Sequence, residues 1–272
     1  MPLLNFTNPV DLAREARREL LAMANSARTS HVASALSVVD ILSVLYCGGA
    51  NIYPNITSIP NRDIVILSKG HAASALYAVL ALQGFFLLAW LKEYCMNGAH
   101  LGGHVSAYGV PGVELSTGSL GHGLPYGVGI AISKKLYGLP GTVFVVLSDG
   151  ECDEGTTWES ALLANHHGLD NLTVIVDRNM LQSLESTEKT LRLEPFSKKW
   201  KSFGWNTVEI SGHNYESILS AIRVDYPGPK CIIASTIKGK GIDFMENSVE
   251  WHYKSPSDID LQNAIMQLGD GN

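Results

Sequence analysis

The chain has 272 residues, of which 46% are hydrophobic and 17% charged, and its formal net charge is −6 at neutral pH. This size and apolar content are sufficient for one large domain with a substantial core. The acidic balance, without a basic patch carrying interleaved aromatic residues, argues against nucleic acid as a partner. The four cysteines are widely spaced, and the N-terminus has no signal-peptide pattern, so we expect reduced thiols and a cytoplasmic protein.

Helices are predicted to dominate the first part of the chain. Asn8-Pro9 is typical of an N-cap followed by a proline in the first helical turn, so a helix is expected over residues 11–20. Three further elements are predicted before residue 120: a helix over 34–45, a short strand over 63–67, and a glycine-rich loop over 102–117.

One uncharged segment, residues 72–91, is long enough to cross a bilayer. Gln83-Gly84 interrupts it, however, and its first half is rich in small residues. We therefore predict two buried helices joined at Gly84 rather than a membrane span, and no membrane partner. Large apolar surfaces often mark association sites, so we expect this segment at or near a subunit interface.

In the second half of the chain, helical segments alternate with β-branched runs. Helices are predicted over 121–136, 215–222 and 259–268, and strands over 142–147, 172–176, 206–210 and 231–236. Residues 182–201 have weak periodicity and are predicted to form a long loop with a short helix. This alternation predicts an α/β fold with a doubly wound, mainly parallel sheet flanked by helices. Without an internal repeat, linker or boundary, one domain is expected over residues 1–272.

Two of the predicted strands end in oxygen-bearing side chains. Asp149-Gly150 follows the strand over 142–147, and Asn179 follows the next one. Open α/β sheets bind ligands outside the carboxyl ends of their strands. A carboxylate with a carboxamide suits a hard cation such as Mg²⁺, and Gly150 would let a diphosphate approach the backbone closely. The same residues are also consistent with an ordinary Asp-Gly turn followed by an unrelated asparagine.

Four of the nine histidines occur where ordered segments change into loops: His31, His71, His104 and His252. A single histidine in such a place is usually structural or at the surface. Four of them flanking one predicted site favour a functional role, because imidazole can donate and accept protons near neutral pH.

Six segments resemble the N-terminal, diphosphate-binding part of transketolases. They are residues 67–72, 112–121, 149–155 with 158–159, 177–179, 238–241 and 251–252. They occur in the family's order and spacing, and the resemblance runs from about the first helix to His252. It implies the thiamine diphosphate-binding fold.

The resemblance also implies a role for each matching residue. Mg²⁺ or Ca²⁺ would be bound by Asp149, Asn179 and the backbone carbonyl of Leu181. Thiamine diphosphate would be bound by His71, Gly118, Ser119, Leu120, Asp149, Gly150, Glu154, Asn179, Lys238 and His252. The catalytic set would be His31, His71, His104 and His252.

Two acidic residues, Glu154 and Glu159, have two alternative interpretations. The resemblance implies that Glu154 and Glu159 belong to a carboxylate network linking paired active sites. Alternatively, they are acids in the first turn of a helix, where they favour its positive end. Three positions depart from the residue common in the family, namely Ser148, His122 and Asn214. None is an implied cofactor ligand, but two of them, His122 and Asn214, leave the substrate preference open.

The resemblance covers only part of a transketolase. In that family, the carboxylate that activates the aminopyrimidine comes from a pyrimidine-binding domain that follows in the same chain, whereas this chain ends at Asn272. It therefore resembles the N-terminal subunit of a split transketolase. We expect a separate subunit with the pyrimidine-binding and C-terminal domains, and two copies of each chain.

The expected reaction is transfer of a two-carbon ketol unit from a ketose or ketose phosphate to an aldehyde acceptor. The identities of donor and acceptor stay open, including a nucleotide-linked sugar. Two other functions were weighed. The chain could be the α-subunit of a thiamine-dependent 2-oxo acid dehydrogenase, which has a similar metal motif, or a non-catalytic cofactor-binding subunit. The histidines at positions 31, 104 and 252 favour the transketolase interpretation.

Overall fold

A five-stranded parallel sheet forms the centre of the chain. The computed structural model describes residues 6–56 and 58–269. The strands are β1 (Ile64–Leu67), β2 (Val143–Ser148), β3 (Leu172–Arg178), β4 (Asn206–Ser211) and β5 (Lys230–Ser235). Their spatial order is β1-β2-β3-β5-β4, and all neighbouring strands are parallel. The predicted doubly wound parallel sheet is confirmed.

Nine α-helices are described, and most match the predicted segments to within a few residues. They are α1 (Pro9–Ala27), α2 (Val32–Val44), α3 (Ala73–Leu82), α4 (Gly123–Leu136), α5 (Gly155–His166), α6 (Thr187–Thr190), α7 (Phe196–Ser202), α8 (Tyr215–Arg223) and α9 (Asp258–Gln267). Asn8 caps α1 as predicted, its side chain accepting from the Val10 amide. The predicted loop over 182–201 contains two short helices instead of one.

The strands separate two hydrophobic cores because successive side chains of a strand point to opposite faces. Along β2, Phe144 and Val146 pack in the core formed with α1, α2 and α3. Val145 and Leu147 pack in the other core, with α4, α5 and α7. Burial on both faces explains why β1, β2, β3 and β5 contain continuous apolar runs, whereas the edge strand β4 is only partly buried and mixes polar with apolar residues.

The uncharged segment 72–91 differs from its prediction. Its first half forms α3, which is buried throughout, but its second half forms a 3₁₀ helix, Leu88–Glu93, with Leu87 exposed before it. Gly84, with a positive φ of 81°, lies in the turn after α3, and Phe85 and Phe86 beyond it are still buried. The prediction of two buried helices is therefore wrong for the second half. Helix α3 packs inside its own chain, and the expectation of a subunit interface at or near the segment stays a prediction.

Another helical stretch has the length and composition of a membrane span. Residues Val32–Gly49, which comprise α2 and the π-helical turn Leu45–Gly49, meet that criterion among the described residues. Inside the fold, 83% of this stretch is buried. Apolar residues all round a helix are also what a core helix requires, and α2 packs against α1 and α3.

Candidate active site at the carboxyl ends of the strands

A cavity of about 260 Å³ lies where β1, β2, β3 and β5 end. Eleven of the predicted site residues line it: His31, His71, His104, Gly118, Leu120, Asp149, Gly150, Asn179, Leu181, Lys238 and His252. These residues come from segments spread over more than two hundred positions. The parallel sheet brings them together because the carboxyl ends of its strands lie at one edge.

Two predicted residues, Ser119 and Glu154, do not line this cavity. Ser119 lies in a neighbouring depression that shares Gly118 with the cavity. Glu154 is exposed and is the N-cap residue of α5, while Glu159 is exposed in the helix, beyond its first turn. The helix-dipole interpretation therefore does not fit Glu159, since the effect falls off within the first turn.

The turn after β3 brings the oxygen atoms of Asn179 and Leu181 next to Asp149. The Asp149 carboxylate accepts from the Gly150 amide at 2.8 Å and from the Met180 amide at 2.6 Å. Met180 has a positive φ of 65°, and this left-handed residue folds the chain back. Asn179 Oδ1 accepts from the Leu181 amide at 3.1 Å. The carboxylate, the amide oxygen and the Leu181 carbonyl are thereby grouped at one corner of the cavity.

Opposite charges meet at this corner with little solvent. Lys238 is buried, and its Nζ donates to the carbonyls of Leu181 and Gln182 and to His252 Nδ1. Burial, reinforced by the nearby Lys69, lowers the pKa of Lys238 to about 8. Burial raises the pKa of Asp149 to about 6, although Arg178 acts in the opposite direction. A cation beside Asp149 and an anion beside Lys238 would each offset this desolvation.

The four predicted histidines form one cluster around His31. Its ring centroid lies 4.9 Å from that of His252, 5.4 Å from that of His71 and 5.9 Å from that of His104. The backbone amide of His31 donates to the His252 carbonyl at 2.8 Å, and His31 has a positive φ of 67°. This strained residue at the start of α2 directs its ring into the cavity.

Three of these imidazoles are neutral at physiological pH. Burial, with His104 and Lys238 nearby, lowers the pKa of His31 to about 4. Burial and Lys238 lower the pKa of His252 to about 3. Burial and the neighbouring Lys69 also hold the pKa of His71 well below its usual value. A neutral imidazole has one donor and one acceptor, which suits the recognition of hydroxyl groups.

A buried ion pair beneath the cavity was missed by the sequence analysis. Lys69 Nζ contacts the Asp177 carboxylate, and both side chains are fully buried. Ser37 Oγ donates to the same carboxylate at 2.6 Å. Lys69 is two residues before His71, and Asp177 is two residues before Asn179. The available signal was a lysine two residues after a buried strand. Lysine is almost never fully buried without a partner, so a buried partner for it could have been expected.

Five further residues of the cavity wall were also missed: Ser34, Ser148, Gln182, Ser183 and Tyr253. Ser34 belongs to α2, one turn after His31, so its helical position was a signal. Gln182 and Ser183 follow the predicted metal ligand Leu181. Their role depends on how the turn after β3 folds, which no periodicity reveals.

The residues present fit a divalent cation with a diphosphate. Among the described residues, no cluster of three His, Cys, Asp or Glu side chains suits a metal ion. A cation would instead meet one carboxylate, one amide oxygen and one backbone carbonyl, the oxygen ligands that Mg²⁺ prefers. Space is restricted as well, since a Cβ on Gly150 would lie 3.1 Å from the Gln182 side chain. The buried His31 Nδ1 has no hydrogen-bond partner among the described residues.

Comparison with known protein families agrees with this geometry. Residues 11–270 match the family model described as the transketolase, thiamine diphosphate binding domain. The chain belongs to the transketolase family. The resemblance seen in six short sequence segments is thereby confirmed over nearly the whole chain.

Relatives of similar length share 35–40% of their residues with this transketolase-family chain. An apulose-4-phosphate transketolase subunit from Actinobacillus succinogenes is 40% identical over 261 residues, which cover 95% of both chains. The 6-deoxy-6-sulfo-D-fructose transketolase subunit of a Clostridium species is 36% identical, covering 95% of this chain and 96% of its own. Human transketolase is 33% identical, but the match spans only 41% of its length.

Solved transketolase structures have the same fold. That of Campylobacter jejuni superposes with a TM-score of 0.88 at 28% identity, over 97% of this chain and 42% of its own. That of Leishmania mexicana gives a TM-score of 0.91 at 24% identity, over 96% of this chain and 41% of its own. The chain therefore spans about two fifths of the length of these transketolases.

Proposed function

We propose that this chain is the thiamine diphosphate-binding subunit of a two-chain transketolase. It would transfer a two-carbon ketol unit from a ketose or ketose phosphate to an aldehyde, together with a separate subunit. The observation that carries the proposal is the cavity itself, in which the Asp149–Asn179 corner, the buried Lys238 and four clustered histidines face one another. The names of the relatives, which are transketolase subunits, support it.

Each side of the cavity has its own part in binding. Asp149, Asn179 and the Leu181 carbonyl would hold Mg²⁺ or Ca²⁺. Lys238, released from its contacts with backbone carbonyls, would neutralise the diphosphate. The glycine at position 150 leaves the space that a phosphate group needs next to the backbone. Bound thiamine diphosphate supplies an electron sink for the carbanion left after carbon–carbon cleavage.

The histidines would act on the sugar. As neutral imidazoles, His31 and His252 can accept a hydrogen bond from one donor hydroxyl and donate to another. His104 is exposed at the mouth of the cavity, where an incoming aldehyde would meet it. Holding hydroxyls in fixed positions orients the scissile bond, and each ring can take up or release one proton.

A second chain would complete the site. The cavity is partly open and shares Gly118 with the depression lined by Ser119, His122 and Tyr126, and Tyr126 is 58% exposed. We infer that a partner covers this opening and supplies the carboxylate that activates the aminopyrimidine. The exposed Glu154 is the N-cap residue of α5 and lies beside Gly121, and the exposed Glu159 follows beyond the first turn of the same helix. Two copies of each chain would form the assembly, in the cytoplasm.

The two other functions are not favoured. A non-catalytic subunit has no use for a set of neutral histidines around a cation corner. The relatives reported above are named as transketolases and not as 2-oxo acid dehydrogenases. The histidine cluster agrees with that, because decarboxylation of a 2-oxo acid requires no hydroxyl-binding set.

Two variants test the proposal. Asp149→Asn removes the charge of the cation ligand while keeping its shape, so calorimetry with Mg²⁺ should show thiamine diphosphate affinity reduced by about 100-fold or more. His104→Ala should keep cofactor affinity but reduce ketol transfer in the reconstituted two-chain enzyme by about 10²–10⁴-fold. Asp170→Asn, at an exposed carboxylate, is the control and should change neither quantity.

The outcomes separate the alternatives. Unchanged cofactor affinity in Asp149→Asn would refute the cation assignment. Full ketol transfer by His104→Ala would refute the transketolase-type site, and release of carbon dioxide from pyruvate would support the dehydrogenase function instead. Turnover by this chain without its partner would contradict the two-chain enzyme.

A further inference from the structure

The loop after β5, residues 236–241, carries Lys238 into the cavity. Gly239 has a positive φ of 83°, and a Cβ there would lie 2.2 Å from the Met245 carbonyl oxygen. The Gly239 amide donates to the Ala33 carbonyl in α2 at 2.9 Å. The loop is therefore tightly bent and rests on α2, so the position of the Lys238 ammonium depends on how this loop is held.

His213 holds the beginning of this loop, although it does not line the cavity. Its Nε2 accepts a hydrogen bond from the Ile237 amide at 2.8 Å, and its Nδ1 lies 2.7 Å from Asp40 Oδ2. A backbone amide can only donate, so Nε2 must be unprotonated and Nδ1 must carry the hydrogen. The ring thus connects a carboxylate in α2 to the residue before Lys238.

Asp40 is in turn fixed from several directions. This residue of α2 is 2% exposed, and Arg17 of α1 binds its two oxygens at 2.9 and 2.7 Å. The Tyr215 hydroxyl donates to Asp40 Oδ1 at 2.6 Å. Arg17 also donates from Nε to the Lys240 carbonyl at 3.1 Å, at the far end of the same loop. The cluster around Asp40 therefore forms hydrogen bonds with the loop on both sides of Lys238.

We propose that His213 is a positioning residue for the diphosphate subsite: by accepting from the Ile237 amide, it fixes where the Lys238 ammonium enters the cavity. This inference rests on the proposed function, because it assumes that Lys238 meets the diphosphate. It assigns no direct contact between His213 and cofactor or substrate. His213 acts through the backbone, as a fixed acceptor for one amide.

Two substitutions test the two hydrogen bonds of the His213 ring separately. In His213→Gln, the side chain reaches as far as Nε2, so its oxygen can still accept from the Ile237 amide. In His213→Asn, the shorter side chain reaches only to the Nδ1 position, so it can still donate to Asp40 but leaves the amide without its acceptor. Tyr215→Phe is the matched control, since it removes a hydrogen bond to the same carboxylate without touching the loop.

Three measurements on the full-length chain test the proposal. Calorimetry with Mg²⁺ measures thiamine diphosphate affinity, amide hydrogen exchange measures the protection of Ile237, and thermal unfolding measures stability. We expect His213→Asn to bind about tenfold more weakly and to lose protection at Ile237, because a partly buried amide without its acceptor destabilises the loop. His213→Gln and Tyr215→Phe should remain within about threefold of the unmodified chain in affinity and keep the protection.

Other results would overturn the inference. His213 would have a purely structural role if the glutamine and asparagine variants bound the cofactor equally well. The same would follow if the loss of affinity paralleled the loss of melting temperature in all three variants. If the asparagine variant does not fold, the nitrogen-15 spectrum of the unmodified chain still decides, because a protonated Nε2 would exclude the bond from Ile237. A chain that binds no thiamine diphosphate would refute the proposed function, whereas the exchange measurement tests the loop independently.

Discussion

Breaking the buried pair between Lys69 and Asp177 should reveal how much the fold depends on it. Burial alone would raise the pKa of Asp177, but Lys69, Ser37 and Thr236 hold it below its usual value. The carboxylate is thus stabilised by one cation and two hydroxyl groups. Lys69 has fewer partners, namely this carboxylate and the Ser34 carbonyl at 3.0 Å.

The unequal number of partners sets the expected magnitudes. Removing one member of a buried pair generally destabilises a protein by about 3–5 kcal/mol. Lys69→Met leaves Asp177 with two hydroxyl donors, so it should lower the free energy of unfolding by about 3 kcal/mol. Asp177→Ala leaves a buried ammonium with a single carbonyl and should lower it by about 5 kcal/mol. The double variant should lose less than the sum, because no charge remains unpaired.

Urea unfolding followed by tryptophan fluorescence measures these changes. Lys135→Met is the control, because Lys135 pairs with Asp170 at the surface, where the side chains are 46% and 61% exposed. That change should stay below about 1 kcal/mol. Single variants of the buried pair that unfold like the control would refute the reasoning. So would a larger loss for Lys69→Met than for Asp177→Ala.

Two further predictions concern pH and packing. In the folded chain the pKa values of His31 and His252 are about 4 and about 3. The unfolded state therefore binds more protons than the folded state once the pH drops below about 6.5. The free energy of unfolding should therefore fall from about pH 6.5 to about pH 4, with both rings neutral by NMR at about pH 5.5; protonation at that pH would contradict it. Gly127→Ala places a Cβ 2.5 Å from Val145 Cγ2 and should destabilise the chain by about 1–3 kcal/mol. Gly129→Ala, in open space on the same helix, should raise the melting temperature instead, and equal shifts would disprove this account.

Local patterns in the sequence predicted most of the elements and the proximity of Asp149 and Asn179. The β-branched runs before Asp149 and Asn179 predicted two strands, and their chain order predicted a parallel sheet. Because parallel strands all end at one edge, the two side chains could be expected near each other without knowledge of the coordinates. Lys238 follows the last strand of the chain, but only the family resemblance placed it at this edge beforehand.

The segment 72–91 shows where such patterns fail. Its composition is uniformly apolar, and apolar content by itself does not distinguish a buried α-helix from a partly exposed 3₁₀ turn. The conformation of the second half depends on the left-handed turn at Gly84 and on the aromatic stacking of Trp90 on Phe86 and His100. The contact with His100 joins the segment to residues beyond it, so only the folded chain determines it.

The polar contacts beneath the cavity depended entirely on tertiary structure. Lys69 and Asp177 are 108 residues apart in sequence, and Asp40 and His213 are 173 apart. Hydrophobic periodicity assigns a residue to a face of its own element, but it does not specify which polar groups from other elements reach the same buried space. Burial decides that choice, because each polar group removed from water must find a partner there. The sequence by itself thus determined the strands and the side chains at their ends, whereas the fold alone decided how those side chains are supported.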